Sequence, residues 1–117
     1  MRNISFSLTQ RQILDGSKTV TRRLGWKNLK PGTRLQACVK CMGLKPGEKI
    51  KKLRVIEIVS MRREPLRLMC DDSGYGFDEP AAEGFPEFGP KAFVGMFCAE
   101  MGCTPDTEIT RIEFKYI

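Results

Sequence analysis

Apolar and polar residues alternate over several short runs of this chain, and one later stretch carries a helical stripe. Thr33–Met42 (TRLQACVKCM) alternates at period two and reads as a β-strand. Ile50–Arg63 (IKKLRVIEIVSMRR) is the longest β signal, with Leu53 and Val55 on one parity and Ile56 and Ile58 on the other. Apolar residues on both parities predict a strand covered on both faces or interrupted by a bulge. Lys45-Pro46-Gly47-Glu48 is a turn that joins these two runs into a long hairpin, and Lys30-Pro31-Gly32 is the turn before them. Lys18–Leu24 (KTVTRRL) has the β-branched content of a further strand. Thr107–Ile117 (TEITRIEFKYI) closes the chain as another, with Ile109, Ile112 and Phe114 inward and a bulge expected where their parity breaks.

Helical signals are shorter. Thr9 with Gln12 three positions later fits a capping box, Ile13 and Leu14 would face the core, and Gly16 supplies a left-handed stop. Pro65 suits the first turn of a helix over Leu66–Cys70, Asp71–Phe77 reads as a loop, and Pro80–Gly84 as one helical turn. Pro90 opens a clearer helix over Lys91–Met101, whose Phe93, Phe97 and Met101 form a core stripe, with Gly102 as its stop. With 117 residues there is room for one core, so a single domain over residues 1–117 is expected. Strands with helices segregated between them predict an α+β fold, built as a small closed β-barrel with flanking short helices.

Composition narrows the classes. No run approaches the apolar length of a membrane span, and the N-terminus MRNISFSL lacks the pattern of a signal peptide, so a soluble, cytoplasmic protein is expected. Cys38 and Cys41 form a C-x-x-C. Positions three apart on a strand point to opposite faces, and the chain has no histidine and no second such pair. Reduced thiols are therefore expected, with neither metal nor cofactor. Charge is segregated: residues 71–108 carry nine acidic side chains against Lys91, while the remainder holds 19 basic and 5 acidic ones. A basic part of this kind suits an anionic partner. The hairpin tip, with Lys40, Lys45, Lys49, Lys51, Lys52 and Arg54, reads either as a solvated surface or as an arm that tracks phosphates.

The stretch Leu14–Arg23 (LDGSKTVTRR) concentrates candidate chemistry. Lys18, Thr21, Arg22 and Arg23 put an amine, a hydroxyl and two guanidinium groups within six residues, a set suited to a phosphate or a polar base. Strict alternation would send Lys18 and Thr21 to opposite faces, so a shared role requires a turn between Gly16 and the strand proper. Trp26, beside Lys27, is a candidate for stacking on a base and equally for plugging the core; Tyr75 is a weaker stacking candidate.

G-S-K-T-V-T-R-R, the following K-P-G turn, the long strand, A-A-E-G-F and the terminal R-I-E-F-K-Y-I together resemble the ASCH domain of the PUA-like superfamily, over essentially the whole chain. The resemblance implies a β-barrel flanked by helices, with a cleft for RNA or a modified nucleoside. One branch hydrolyses the acetyl amide of N4-acetylcytidine with a lysine, a threonine and a glutamate. By that resemblance these fall on Lys18, Thr21 and Glu83. From their charge and stacking chemistry, Arg22, Arg23, Trp26, Lys27, Lys40, Lys51 and Lys52 are candidates to contact ligand or nucleic acid. The chain departs from that branch between residues 64 and 91, which are longer and rich in glycine and proline. Three roles follow for the cleft: binding of RNA or a modified nucleoside, metal-independent amide hydrolysis, and ribonuclease activity. A fourth has the basic hairpin docking an acidic protein. For hydrolysis, Lys18 acts as base only with a lowered pKa. Burial and neighbouring arginines favour that state and a direct pair with Glu83 opposes it.

Overall fold

The β-branched and aromatic runs gather into one five-stranded sheet. In the computed structural model, which describes residues 1–117, the strands are β1 (Arg2–Ser5), β2 (Val20–Arg23), β3 (Arg34–Cys38), β4 (Lys52–Pro65) and β5 (Glu108–Tyr116). Their order across the sheet is β1-β3-β4-β5-β2, with β1 parallel to β3 and every other neighbouring pair antiparallel. The sheet curls into a half-barrel, and the closed barrel expected from the sequence does not form, because its edges β1 and β2 are not paired with each other. Each edge strand is only four residues long. A side chain spans the remaining gap instead of a backbone ladder: Arg23 Nη2 on β2 donates to the Ser5 main-chain oxygen on β1 at 2.6 Å.

The expected hairpin is β3–β4, although β3 stops at Cys38 rather than running on to Met42. Beyond that stop the chain turns back on itself, and Cys41 meets Cys38 as a disulfide. The thiol expectation assumed that both cysteines lay in one continuous strand; ending the strand between them removes the geometry that separated them. On β4 the pairing with β5 shifts between Ile58 and Ser60, so Val59 is the extra residue of a bulge and stands exposed. No bulge is needed on β5. Ile112 and Phe114 join one apolar cluster with Phe6, Ile13, Leu35 and Ile56, whereas Ile109 joins another with Leu66, Met69, Phe93 and Phe97. One strand thus serves two cores from its two faces. Full burial of such side chains contributes about 1.5–3 kcal/mol each.

Several local expectations differ. Helix α1 (Gln10–Leu14) begins after Thr9, whose side chain makes no cap. Gln12 Nε2 instead donates to the Gly84 main-chain oxygen at 2.9 Å, a tertiary contact that outcompetes the local box. Ile13 is buried but Leu14 is exposed, since a helix this short turns one narrow face to the core. Pro65 is the last residue of β4, and α2 (Leu68–Asp71) follows it. The expected loop 71–77 contains a helical turn, α3 (Ser73–Gly76), capped by Asp72 accepting from the Tyr75 amide at 3.1 Å. Next come α4 (Glu79–Ala82) and α5 (Pro90–Met101), the latter closed by Gly102 in the left-handed region. Phe93 and Phe97 are core residues as the stripe implied, whereas Met101 is 46% exposed at the helix end. β1 is not among the expected strands, although Ile4, Phe6 and Leu8 alternate with Asn3, Ser5 and Ser7; Ile4 and Phe6 are buried and the strand pairs parallel to β3.

Candidate functional site

The site begins where α1 gives way to β2. Gly16 turns left-handed at φ 78°, and residues 17–19 precede the strand, which begins at Val20. Four contacts hold this bridge at residues 18 and 19: the Lys18 amide donates to Gln12 O at 3.2 Å, the Thr19 amide to Ala82 O at 2.8 Å, the Phe114 amide to Thr19 O at 3.0 Å, and Tyr116 OH to Lys18 O at 2.5 Å. The Thr19 amide contact lays the bridge against the end of α4, which brings Lys18 to Glu83. Behind Glu83, Gly84 adopts φ 99°, a conformation that L side chains rarely take, and an added Cβ would press on the Gln12 side chain. The strand proper starts at Val20, so the alternation that would have separated Lys18 from Thr21 does not extend to Lys18.

The geometry is a buried chain of charges. Lys18 Nζ donates to Glu83 Oε1 at 2.8 Å and to the Glu83 main-chain oxygen at 2.6 Å. Arg22 Nη1 donates to Glu83 Oε2 at 3.1 Å, while its Nη2 donates to Glu79 Oε1 at 2.5 Å and to Tyr75 OH at 3.0 Å. Arg111 clasps Glu79 with two bonds, Nε to Oε1 at 2.7 Å and Nη2 to Oε2 at 3.1 Å. Tyr75 OH in turn donates to Glu64 Oε2 at 2.7 Å. Arg23 is different. It forms no ion pair with a carboxylate; its Nε donates to Thr21 Oγ1 at 3.1 Å and its Nη2 bridges to Ser5 across the seam. Its guanidinium lies over the Phe6 ring, 4.8 Å from the centroid.

Environment sets the protonation of these groups. Burial, joined by the charges of Arg23 and Arg22, pulls the Lys18 pKa below its ordinary value despite the opposing pull of Glu83. Burial likewise brings Arg23 down to about 10, only partly countered by Glu83. For Glu79 burial acts upward, but the hydrogen bonds and charges of Arg111 and Arg22 outweigh it and hold the carboxyl at about 2. Arg22 is also raised on balance, because Glu83, Tyr75 and Glu79 together outweigh its burial. Burial and the bond to Glu64 push Tyr75 up to about 12, so it stays a neutral donor.

These residues floor a cavity of about 140 Å³ beside the sheet seam. Lys18, Thr21, Arg22, Arg23 and Glu83 line it together with the apolar Phe6, Phe85, Phe93, Met96 and Phe97. An engineered apolar cavity of about 150 Å³ accepts one benzene, so this volume suits a single ring and not a length of strand.

The remaining sequence candidates lie elsewhere. Trp26 is half-buried against the larger apolar cluster, with the Arg2 guanidinium 4.3 Å above its ring, and does not line the cavity. Lys27 is exposed outside the cavity. Lys40, Lys51 and Lys52 are exposed at the far part of the β3–β4 hairpin. Tyr75 contacts Arg22 rather than a free surface.

Sequence reasoning passed over Glu79, Glu64 and Arg111. One signal was present: Glu79 and Glu83 stand four apart on a helical turn, which puts them on the same side, and both reach Arg22. Nothing local could assign Arg111, whose partners depend on strand pairing. Of the aromatic lining, Phe93 and Phe97 were read only as core, and Phe6 and Phe85 were given no role.

Neither a protein-family model nor a curated protein sequence matches the chain. Solved structures do. A DUF984 protein from Enterococcus faecalis V583 superimposes with a TM-score of 0.63 at 12% identity, over 100% of this chain and 76% of the other. An ASCH domain from Lactobacillus crispatus JV V101 superimposes with a TM-score of 0.59 at 20% identity, over 98% of this chain and 78% of the other. At such identities the likeness is one of fold, and the chain has the ASCH-domain fold from end to end.

Proposed function

We propose that this protein binds a single base, of RNA or of a modified nucleoside, in the seam cavity. The observation that carries this reading is the pairing of ring-sized volume with mixed chemistry: aromatic and methionine side chains line the cavity together with Lys18, Thr21, Arg23 and Glu83. A base has an apolar face to bury and a polar edge to satisfy, and stacking on aromatic side chains with hydrogen bonds to the edge is how unpaired bases are held. The ASCH-domain fold supports the same reading. Isothermal titration with cytidine-type nucleosides tests it. Saturable binding that is lost in Ser7→Trp, where an exposed rim residue is enlarged to fill the hollow, is the expected result. Binding unaffected by that substitution would remove the cavity from the function.

A second reading is metal-independent hydrolysis of the acetyl amide of N4-acetylcytidine. Two observations favour it: Lys18, Thr21 and Glu83 line one cavity, and burial makes Lys18 easier to deprotonate. In this chemistry neutral Lys18 takes a proton as water, or the Thr21 hydroxyl, adds to the acetyl carbonyl. The C–N bond then breaks, and the N4 nitrogen leaves as the amine with a proton passed through Glu83. Direct attack by water yields acetate and cytidine; an acetyl-Thr21 ester would need a second water to do so. Arg23 stands where it can steady the developing oxyanion. Loss of the acetyl chromophore with added protein and no added metal, abolished in Lys18→Ala, is the result expected of an enzyme. An unchanged chromophore leaves binding as the activity.

A further inference from the structure

The cavity is not isolated from the lysine-rich hairpin. Ser5 and Phe6 both line it, and both lie beside Cys38: Ser5 pairs with Cys38 in the parallel β1–β3 register, and the Phe6 amide donates to Cys38 O at 2.8 Å. Cys38 is also the last residue of β3, and it faces Lys52 across the β3–β4 ladder. The hairpin end therefore springs from beside the cavity. From Ser5 to Lys52 is two strand spacings, roughly 10 Å.

Beyond that point the ladder holds for one further bond, the Val39 amide to Lys51 O at 3.0 Å, and the hairpin end then carries Lys40, Lys45, Lys49, Lys51 and Lys52, all exposed. The only acid among residues 39–52 is Glu48, whose carboxylate meets the Lys45 amide and sits 4.0 Å from the Lys40 ammonium. At least four of these five lysines therefore have no ion-pair partner. This contrasts with the cavity floor, where Lys18 and Arg22 are matched to carboxylates. Unpaired, solvated, closely spaced ammonium groups gain by neutralising a polyanion and releasing its counterions, and flexible lysines accept phosphates without a fixed geometry.

We propose that the β3–β4 hairpin is a phosphate-tracking arm, so that the ligand of the adjoining cavity is one base of a single-stranded nucleic acid rather than a free nucleoside. This rests on the reading of the cavity as a base pocket. The cavity takes one ring; the backbone on one side of that base runs past Cys38 onto Lys51, Lys52 and Lys40. The arm sets affinity, and the cavity selects the base.

Fluorescence anisotropy with a labelled 12-nucleotide single-stranded RNA, its DNA counterpart and labelled poly-glutamate, together with calorimetry on a free nucleoside, tests the proposal. All three substitutions of Lys40→Ala/Lys51→Ala/Lys52→Ala fall on exposed side chains, so folding is retained and is checked by a thermal melt. The triple variant is expected to lose at least tenfold in RNA affinity at about 0.1 M salt, with a log–log salt slope shallower by about 2, at 0.7 per lost phosphate contact. Its nucleoside affinity should match wild type. Equal binding of RNA and DNA supports the arm, because the phosphate is common to both. Unchanged RNA affinity and slope in the triple variant would overturn it. Poly-glutamate bound as tightly as RNA, with the same lysine dependence, would overturn it in favour of an acidic protein partner. The base-pocket reading fails separately, if wild type holds the RNA through the lysines but Ser7→Trp leaves both RNA and nucleoside binding untouched.

Discussion

Arg22 on β2 and Arg111 on β5 stand directly opposite each other in the antiparallel ladder, and both guanidinium groups close on the same carboxylate, Glu79. Like charges directly opposite on a sheet repel. Glu79, delivered by α4 from outside the sheet, turns that repulsion into a three-member bridge that also fixes the angle at which Arg22 meets Glu83.

Glu79→Gln should therefore unfold the protein more readily by about 3 kcal/mol, the cost of leaving buried guanidinium charge without its partner. The effect depends on pH. A carboxyl held at about 2 contributes stability that is fully present above its unfolded value of about 4.3 and lost as pH falls from there through about 2. Urea midpoints of wild type and variant should converge between pH 4.5 and pH 2. A constant gap over that range would show that Glu79 acts by packing alone.

Lys18 has the same sign of linkage, in a higher pH window. Its folded pKa lies below its ordinary value, so the unfolded chain binds the proton more tightly over the window between the two. Stability from this group rises with pH across that window, towards its upper limit near 10.4. Urea melts of wild type from neutral pH upward should show this rise, and Lys18→Met should abolish it. A rise that survives the substitution belongs to another group.

Arg23→Gln tests the seam. It removes the link from β2 to Ser5 and the bond to Thr21 Oγ1, while leaving every backbone ladder intact. Hydrogen exchange at the amides of β1 should accelerate, corresponding to about 1–2 kcal/mol of easier local opening. Exchange in β4 and β5 should scarcely change. Uniform acceleration across the sheet would mean that the seam bond is part of global stability.

Two glycines give a matched pair. A Cβ on Gly76 would overlap the main-chain oxygen of Met69, so Gly76→Ala should destabilise by about 3 kcal/mol and displace the turn that carries Tyr75. Gly95, inside α5, has open space where its Cβ would go, and Gly95→Ala should stabilise by about 0.5–1 kcal/mol. Thermal or urea melts of the two variants distinguish crowding from helix propensity directly.

Local sequence chemistry determined much of this protein. Period-two alternation located β3, runs of β-branched and apolar residues located β4 and β5, and Gly16, Gly102 and the proline–glycine turns marked where elements stop, because these signals act over a few residues of backbone. The same scale explains the misreadings. The Thr9–Gln12 box lost to a bond from Gln12 to Gly84, and the break in parity on β5 reflects two cores rather than a bulge. Lys18, Thr21, Arg22 and Glu83 could be named from the chain, but their meeting could not be derived from it. The Lys18–Glu83 bond spans 65 residues, and it depends on the bridge 17–19 docking against α4. Burial, not residue type, then decides how readily Lys18 gives up its proton, and burial is a property of the assembled tertiary structure.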